Sequence, residues 1–275
     1  MSNIRVLVPG ASIAGPALAH WLHRRGAEVT VVEKTHSLRP GGQAVDARGV
    51  AKEAIRRMGL DTAVRAACTD TEGAYSVDAQ GNILETMPAA ENDGDGYVSK
   101  IEILRGDFAQ ILYDDTHDHL EYLFGERIAG LTQDDDGVEV TFASGGHRLF
   151  DFVIGADGLH SSLRSMGFGP REDFVRHLGL GLAFFTVPNE FGIDRWLLDY
   201  QQGGRWARLR PVPDPTRAIA TTPFPPPDID VDHRDVGARN GSFARRWPAS
   251  RGRPSGSSPT WRTPRASTST RSPRS

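Results

Sequence analysis

Six residues near the start of the chain, Gly10-Ala11-Ser12-Ile13-Ala14-Gly15, restrict what it can fold into more than any other feature. They follow a short apolar run, Ile4 to Val8 (IRVLV), which is closed by Pro9-Gly10 and reads as a buried parallel strand. After them Ala14, Leu18, Trp21 and Leu22 share one helical face, Pro16 suits a first turn and Gly26 ends the helix. Glu28 to Glu33 (EVTVVE) is a second strand, so the chain opens with a βαβ unit of roughly 30 residues. The tight turn calls for Gly10, and close packing of helix on strand calls for Gly15. The N–H groups around Ser12, Ile13 and Ala14, with the positive end of the helix dipole, then suit a pyrophosphate. Glu33, 23 positions after Gly10, is placed to accept hydrogen bonds from an adenosine ribose. Ser12 stands where this fingerprint has its middle glycine, the residue that lets backbone approach phosphate. The pattern predicts a dinucleotide site and leaves NAD and FAD both open.

Further along, Gly41-Gly42 opens a loop and Val50 to Met58 is an amphipathic helix closed by Gly59. Ala74 to Thr86 suggests a hairpin turning at Gln80-Gly81-Asn82, and Arg105 to Asp114 is helical. Glu121 to Phe124, Ala129 to Gln133, Val138 to Phe142 and Phe150 to Ala156 are predicted strands, as are Leu180 to Val187, Trp196 to Tyr200 and Ala218 to Thr222. Helices and parallel strands come early and antiparallel strands late, the order of an α/β nucleotide domain with a sheet-rich partner.

Charge is divided unevenly. Nine of the 32 basic residues lie between Arg239 and Ser275, all arginines, while all 35 acidic residues precede them. The first 238 residues therefore carry a net charge of −12, which gives no reason to expect nucleic-acid binding. No run of about 18 apolar residues exists, so no membrane span is expected. One cysteine, Cys68, allows no intramolecular disulfide and argues against a cysteine-based metal site. His117 and His119 flank Asp118 in what reads as a wet loop, and no metal site is expected there. A reduced, cytoplasmic setting fits these features.

A second motif separates FAD from NAD. Asp151 to Arg164 (DFVIGADGLHSSLR) reads as a buried strand ending in Gly155-Ala156-Asp157-Gly158, followed by a polar helix start at Ser161. It resembles the Asp-Gly motif of the flavin aromatic hydroxylases, the p-hydroxybenzoate hydroxylase-like family. Glu102-Ile103-Leu104-Arg105 opens a helix where that family places an arginine beside the flavin. Within the family the chain is most similar to tetracycline and polyketide hydroxylases, through Gly41-Gly42, Asp46 and a helix ending Arg-Arg-Met-Gly-Leu. The resemblance covers residues 1 to about 165 well and to about 230 loosely. It implies that Asp46 lies near the flavin, that Lys34 lies near the adenosine, and that Asp157 faces the cofactor and the path of transient NADPH. It also implies an FAD-dependent monooxygenase, in which NADPH (or NADH) reduces the flavin and one atom of O2 passes to an aromatic or polyketide-like substrate. Such chemistry requires the protein to position ring and flavin and to exclude water, so no catalytic acid, base or metal is assigned.

The fold expected is thus α/β: a Rossmann-like FAD-binding domain with a parallel sheet over 1–70 and 101–166, an interleaved antiparallel-sheet substrate domain over 71–100 and 167–237, and a disordered basic tail over 238–275. The family's later Gly-Asp-Ala-Ala-His motif is absent from the sequence. In its place is a tail with nine arginines, nine serines and five prolines and no periodic apolar face. Permissible codons for Arg239 to Ser275, read one base later, write a segment with helical apolar periodicity. The tail is therefore expected to come from a shifted frame and to contribute nothing to cofactor binding; docking of its positive charge onto the acidic body is the alternative. Two rival functions stay open: a flavin-dependent reductase or dehydrogenase on the same scaffold, and an inactive truncated remnant.

Overall fold

Along the chain, the computed structural model begins with β1 (Arg5–Pro9), α1 (Ala14–Arg24), β2 (Glu28–Glu33), β3 (Ala44–Asp46), α2 (Val50–Met58) and α3 (Asp61–Ala66). A hairpin of β4 (Gly73–Val77) and β5 (Ile83–Pro88) follows, then β6 (Glu102–Leu104) and α4 (Arg105–Thr116). Next come β7 (Glu121–Phe124), β8 (Ile128–Asp134), β9 (Gly137–Phe142), β10 (His147–Phe150), β11 (Phe152–Val153) and α5 (Ser162–Gly167). The last elements are β12 (Gly181–Pro188), β13 (Trp196–Gln202), β14 (Arg205–Pro211) and β15 (Arg217–Phe224). The structure describes residues 4–40, 42–89, 96–176, 178–202 and 205–224. The expected tail, 238–275, and the Gly41 of the glycine loop lie outside the described residues.

The described chain divides into two compact units. One runs to Ala74 and resumes from Met87 to Leu178; the other takes Tyr75–Thr86 and the residues from Gly179 onward. The excursion out of the first unit is thus shorter than the expected 71–100, and the return to the second comes later than residue 167.

The first unit is built on a four-stranded parallel sheet in the order β11-β1-β2-β7. Both faces of β1 are covered, which explains why the strand is apolar throughout rather than alternating. Val6 and Val8 pack on one side with Ala19 of α1, Val29, Val31 and Leu120. Leu7, fully buried, packs on the other side with Val32, Val140 and Phe142 and with Leu163 of α5. That second layer is the antiparallel sheet β10-β9-β8. A third cluster joins α2, α3 and α4 through Ile55, Met58, Val64, Ile103 and Leu112. Cys68 lies beside it, its Sγ donating to the Val64 carbonyl at 3.4 Å, and burial pushes its thiol above the usual range.

The second unit is a six-stranded sheet in the order β12-β15-β14-β13-β4-β5. Asp199 and Arg208 face each other across β13 and β14 and form a two-point ion pair, Nε to Oδ1 at 2.6 Å and Nη2 to Oδ2 at 2.8 Å.

Besides the three-residue β3 and β6, which are not among the expected strands, two strand assignments need correction. Phe150 to Ala156 is not one strand: β10 ends at Phe150, paired with Val138, and β11 begins at Phe152, paired with Val6 of β1. The run is apolar because it serves two sheets in turn, and Asp151 is where it changes over. The Asp151 Oδ2 accepts from Arg5 N at 2.6 Å while the Asp151 N donates to Arg5 O at 2.9 Å. Removing that acceptor, as in Asp151→Ala, is expected to lower stability by about 1–2 kcal/mol. Asp151→Asn, which keeps an accepting oxygen, should recover most of it in urea unfolding. The other correction is β14, absent from the expected strands because Arg205, Arg208 and Arg210 disguise it.

Candidate functional site

Strand β1 ends at Pro9 and the chain turns at Gly10, whose φ of +108° lies in the region that favours glycine. Its N–H donates to Val32 O at 2.8 Å, fixing the turn to the end of β2. A Cβ at Gly10 would strike the backbone of Ala156, and one at Gly15 would strike the Gly10 carbonyl. The first close approach brings the Ala156-Asp157 segment against the glycine turn; the second seats α1 on it. Both are met only by glycine.

Helix α1 starts without protection. Its N-cap is Ile13, no side chain caps it, and its first turn holds no acidic residue. Pro16 removes one N–H, but the donors before it have no intrahelical acceptor. This end of the helix opens onto a groove of about 800 Å³ lined by Gly10, Ser12 and Ala14 on one side and Glu33, Arg105 and Asp157 on others. The volume lies within the range of small-molecule clefts.

Three of the expected site residues are held in place by bonds the sequence did not suggest. Glu33 uses both carboxylate oxygens: Oε2 accepts from Ala11 N at 3.1 Å, and Oε1 accepts from Thr35 N at 3.1 Å and Thr35 Oγ1 at 3.0 Å. A carboxylate has about four acceptor positions, so one remains for a ligand. Arg105, the first residue of α4, is delivered by the short ladder of β3 with β6 and by its own N–H to Gln43 O at 3.0 Å. Its Nε and Nη2 both donate to Ser12 Oγ, at 3.1 and 2.9 Å. Asp157 Oδ2 accepts from Ser162 N at 2.7 Å and Leu163 N at 3.3 Å, which secures the start of α5 together with the Ser161 cap. Ala156 N donates to Pro9 O at 3.0 Å, tying this segment to the end of β1.

Lys34 and Ile13 also line the groove. Asp46 does not: it sits exposed at the end of β3, where Arg48 donates to its Oδ2 through Nε at 3.1 Å and Nη2 at 2.8 Å. Arg39, Arg127 and His160 line the groove without having been assigned to it. Arg39 and Arg127 lie in loops after β2 and before β8, where sequence offers no periodic signal. Among the described residues no group of three His, Cys, Asp or Glu side chains is placed to hold a metal ion.

The arrangement fits a dinucleotide: unprotected helix N–H groups and a cation for phosphate, an acidic strand end for ribose. Comparison with known proteins identifies the dinucleotide as FAD. Residues 3–202 match the family model described as FAD binding domain. An uncharacterised protein of Mycobacterium tuberculosis (strain ATCC 25618 / H37Rv) is 42% identical over 242 residues, which are 88% of this chain and 65% of the relative. A flavin-dependent monooxygenase of Legionella longbeachae is 36% identical over 85% of this chain and 59% of its own length. Among solved structures, tetracycline destructase Tet(55) superposes with a TM-score of 0.77 at 34% identity, over 89% of this chain and 62% of that one. The chain thus spans less than two thirds of the length of these relatives.

Proposed function

Because the chain belongs to the FAD binding domain family, we propose that it is an FAD-dependent monooxygenase hydroxylating an aromatic or polyketide-like small molecule, with NADPH or NADH and O2. The observation that carries this reading is the groove itself. An unprotected helix start, a cation that has no carboxylate partner among the described residues and an acidic strand end line one cavity, in the order phosphate and ribose require. When bound, FAD supplies hydride acceptance and oxygen activation. The protein's own groups bind and orient it: the α1 N-terminus faces the pyrophosphate, Glu33 the ribose and Lys34 the adenosine, while Arg105, expected beside the flavin, is held by Ser12 of the glycine turn and is assigned to the pyrophosphate instead. Asp157 braces the loop that closes the far wall. The sheet of the second unit is assigned to the substrate, and likeness to flavin-dependent monooxygenases and tetracycline destructases supports an aromatic or polyketide-like class. Among the described residues no helix is long and apolar enough to cross a membrane, and a cytoplasmic location is part of this proposal.

Purified chain incubated with FAD and passed through gel filtration should retain flavin absorbance. With NADPH it should consume O2 faster when an aromatic polyketide such as tetracycline is added. NADPH oxidation without O2 uptake would favour the reductase instead. Protein that keeps no flavin at all would favour the inactive remnant.

A further inference from the structure

Ser12 occupies the position where the dinucleotide fingerprint has its middle glycine, and its backbone conformation does not require one. Among the described non-glycine residues only Asp70 and Arg195 have positive φ. What distinguishes Ser12 is its hydroxyl, which accepts from both Nε and Nη2 of Arg105, a residue 93 positions away. A guanidinium has five N–H donors, so three remain beyond this pair. Arg105 is half-buried and, among the described residues, no carboxylate is paired with it. A carboxylate in place of the hydroxyl would hold the arginine equally well and cancel its charge. A neutral hydroxyl fixes its orientation and leaves the charge for a ligand.

We propose that Ser12 is a positioning residue: its hydroxyl holds the Arg105 guanidinium toward the FAD pyrophosphate at the unprotected start of α1. An arginine left free samples many rotamers, and ordering them on binding weakens affinity; a guanidinium already held contributes its full charge-assisted bond. In this chain a preset cation takes over the part that close backbone approach plays where the middle residue is glycine. The consequence runs against motif matching. Ser12→Gly completes the Gly-x-Gly-x-x-Gly pattern and yet weakens FAD binding. This inference rests on the assignment of FAD to the groove.

The test is a titration of the full chain with FAD, followed by flavin fluorescence, and with adenosine diphosphate as a probe that carries the pyrophosphate but no flavin. Ser12→Ala and Ser12→Gly should each weaken both ligands roughly tenfold, the scale of one hydrogen bond to a charged group. Arg105→Ala should weaken them at least as much, and adding Ser12→Ala to Arg105→Ala should change nothing further. Should Ser12→Gly fail to fold, Ser12→Ala, which keeps the Cβ and loses only the oxygen, carries the comparison. Equal or tighter FAD binding by Ser12→Ala or Ser12→Gly overturns the proposal. So does an undiminished loss from Ser12→Ala in the Arg105→Ala background, because that assigns Ser12 to the shape of the turn. A parent chain that binds neither FAD nor adenosine diphosphate overturns the cofactor assignment, and this inference with it.

Discussion

Replacing Gly10 with alanine is expected to cost about 2–6 kcal/mol of stability and to abolish FAD binding with it. Two effects add. The φ of +108° is strained for any residue with a Cβ, at about 1–3 kcal/mol. The new Cβ would also lie 2.8 Å from the Ala156 carbonyl carbon and 3.0 Å from the Asp157 Cα, and overpacking of this kind costs about 1–3 kcal/mol. Both opposing atoms are backbone, so no rotamer change relieves the contact. Relief requires moving the 156–157 segment off the end of β1, which breaks the bond from Ala156 N to Pro9 O. That movement displaces Asp157, which caps α5, so the damage reaches the opposite wall of the groove. Gly26 is the control: its φ is +86° but nothing lies within 4 Å of a Cβ there. Gly26→Ala should therefore cost only the conformational share, about 1–2 kcal/mol. Urea unfolding of the two variants separates strain from collision. Equal losses would mean that the Gly10 turn and the 156–157 segment do not press on one another.

The same contact shows what in the fold could be read from sequence and what could not. The limits of the βαβ unit are legible because its constraints are local: a strand covered on both faces must be apolar throughout, and a helix ended by glycine announces its limit; the face of α1 is not, since Gly15, Pro16, Ala19 and His20 are its buried residues and Ala14 is exposed. The helix Val50–Met58 and its Gly59 cap, with φ of +80°, follow from the same local rules. The break at Asp151 was hidden because hydrophobicity reports burial and not the sheet that provides it. Strand β14 was hidden because a strand in the middle of a sheet was not expected to alternate with arginines; Arg208 is accommodated there by Asp199 on the neighbouring strand, a pairing that depends on register. At the site, position in the sequence brings the motif residues other than Asp46 to one groove, but does not reveal the bonds that hold them. That Glu33 braces the Ala11 N–H, that Ser12 holds Arg105 and that Arg48 occupies Asp46 are bonds made by side chains, invisible to spacing. Asp46 was placed near the cofactor by resemblance alone, and in this chain its carboxylate faces Arg48 outside the groove lining.

Glu33→Gln, although nearly isosteric, is expected to lower FAD affinity roughly 10- to 100-fold and stability by about 1–2 kcal/mol, because a half-buried donor is left without an acceptor. The carboxylate accepts on both sides at once, from Ala11 N on Oε2 and from Thr35 N and Oγ1 on Oε1. An amide has one accepting oxygen and one NH2. If the oxygen faces Ala11, the NH2 can donate to the Thr35 hydroxyl oxygen but opposes the Thr35 N–H. If it faces Thr35, the NH2 opposes the Ala11 N–H and presses on the turn that must meet phosphate. Neither orientation offers the ribose a charged acceptor. Thr35→Val isolates the bracing part, since it removes one donor and leaves the carboxylate intact. It should cost about 1 kcal/mol of stability or less and leave FAD affinity close to that of the parent chain. The two variants, compared by urea unfolding without FAD and by fluorescence titration with it, divide the role of Glu33 between holding the turn and holding the ligand. If Glu33→Gln binds FAD as tightly as the parent chain while losing stability, the carboxylate braces the glycine turn alone and the ribose contact must be assigned elsewhere.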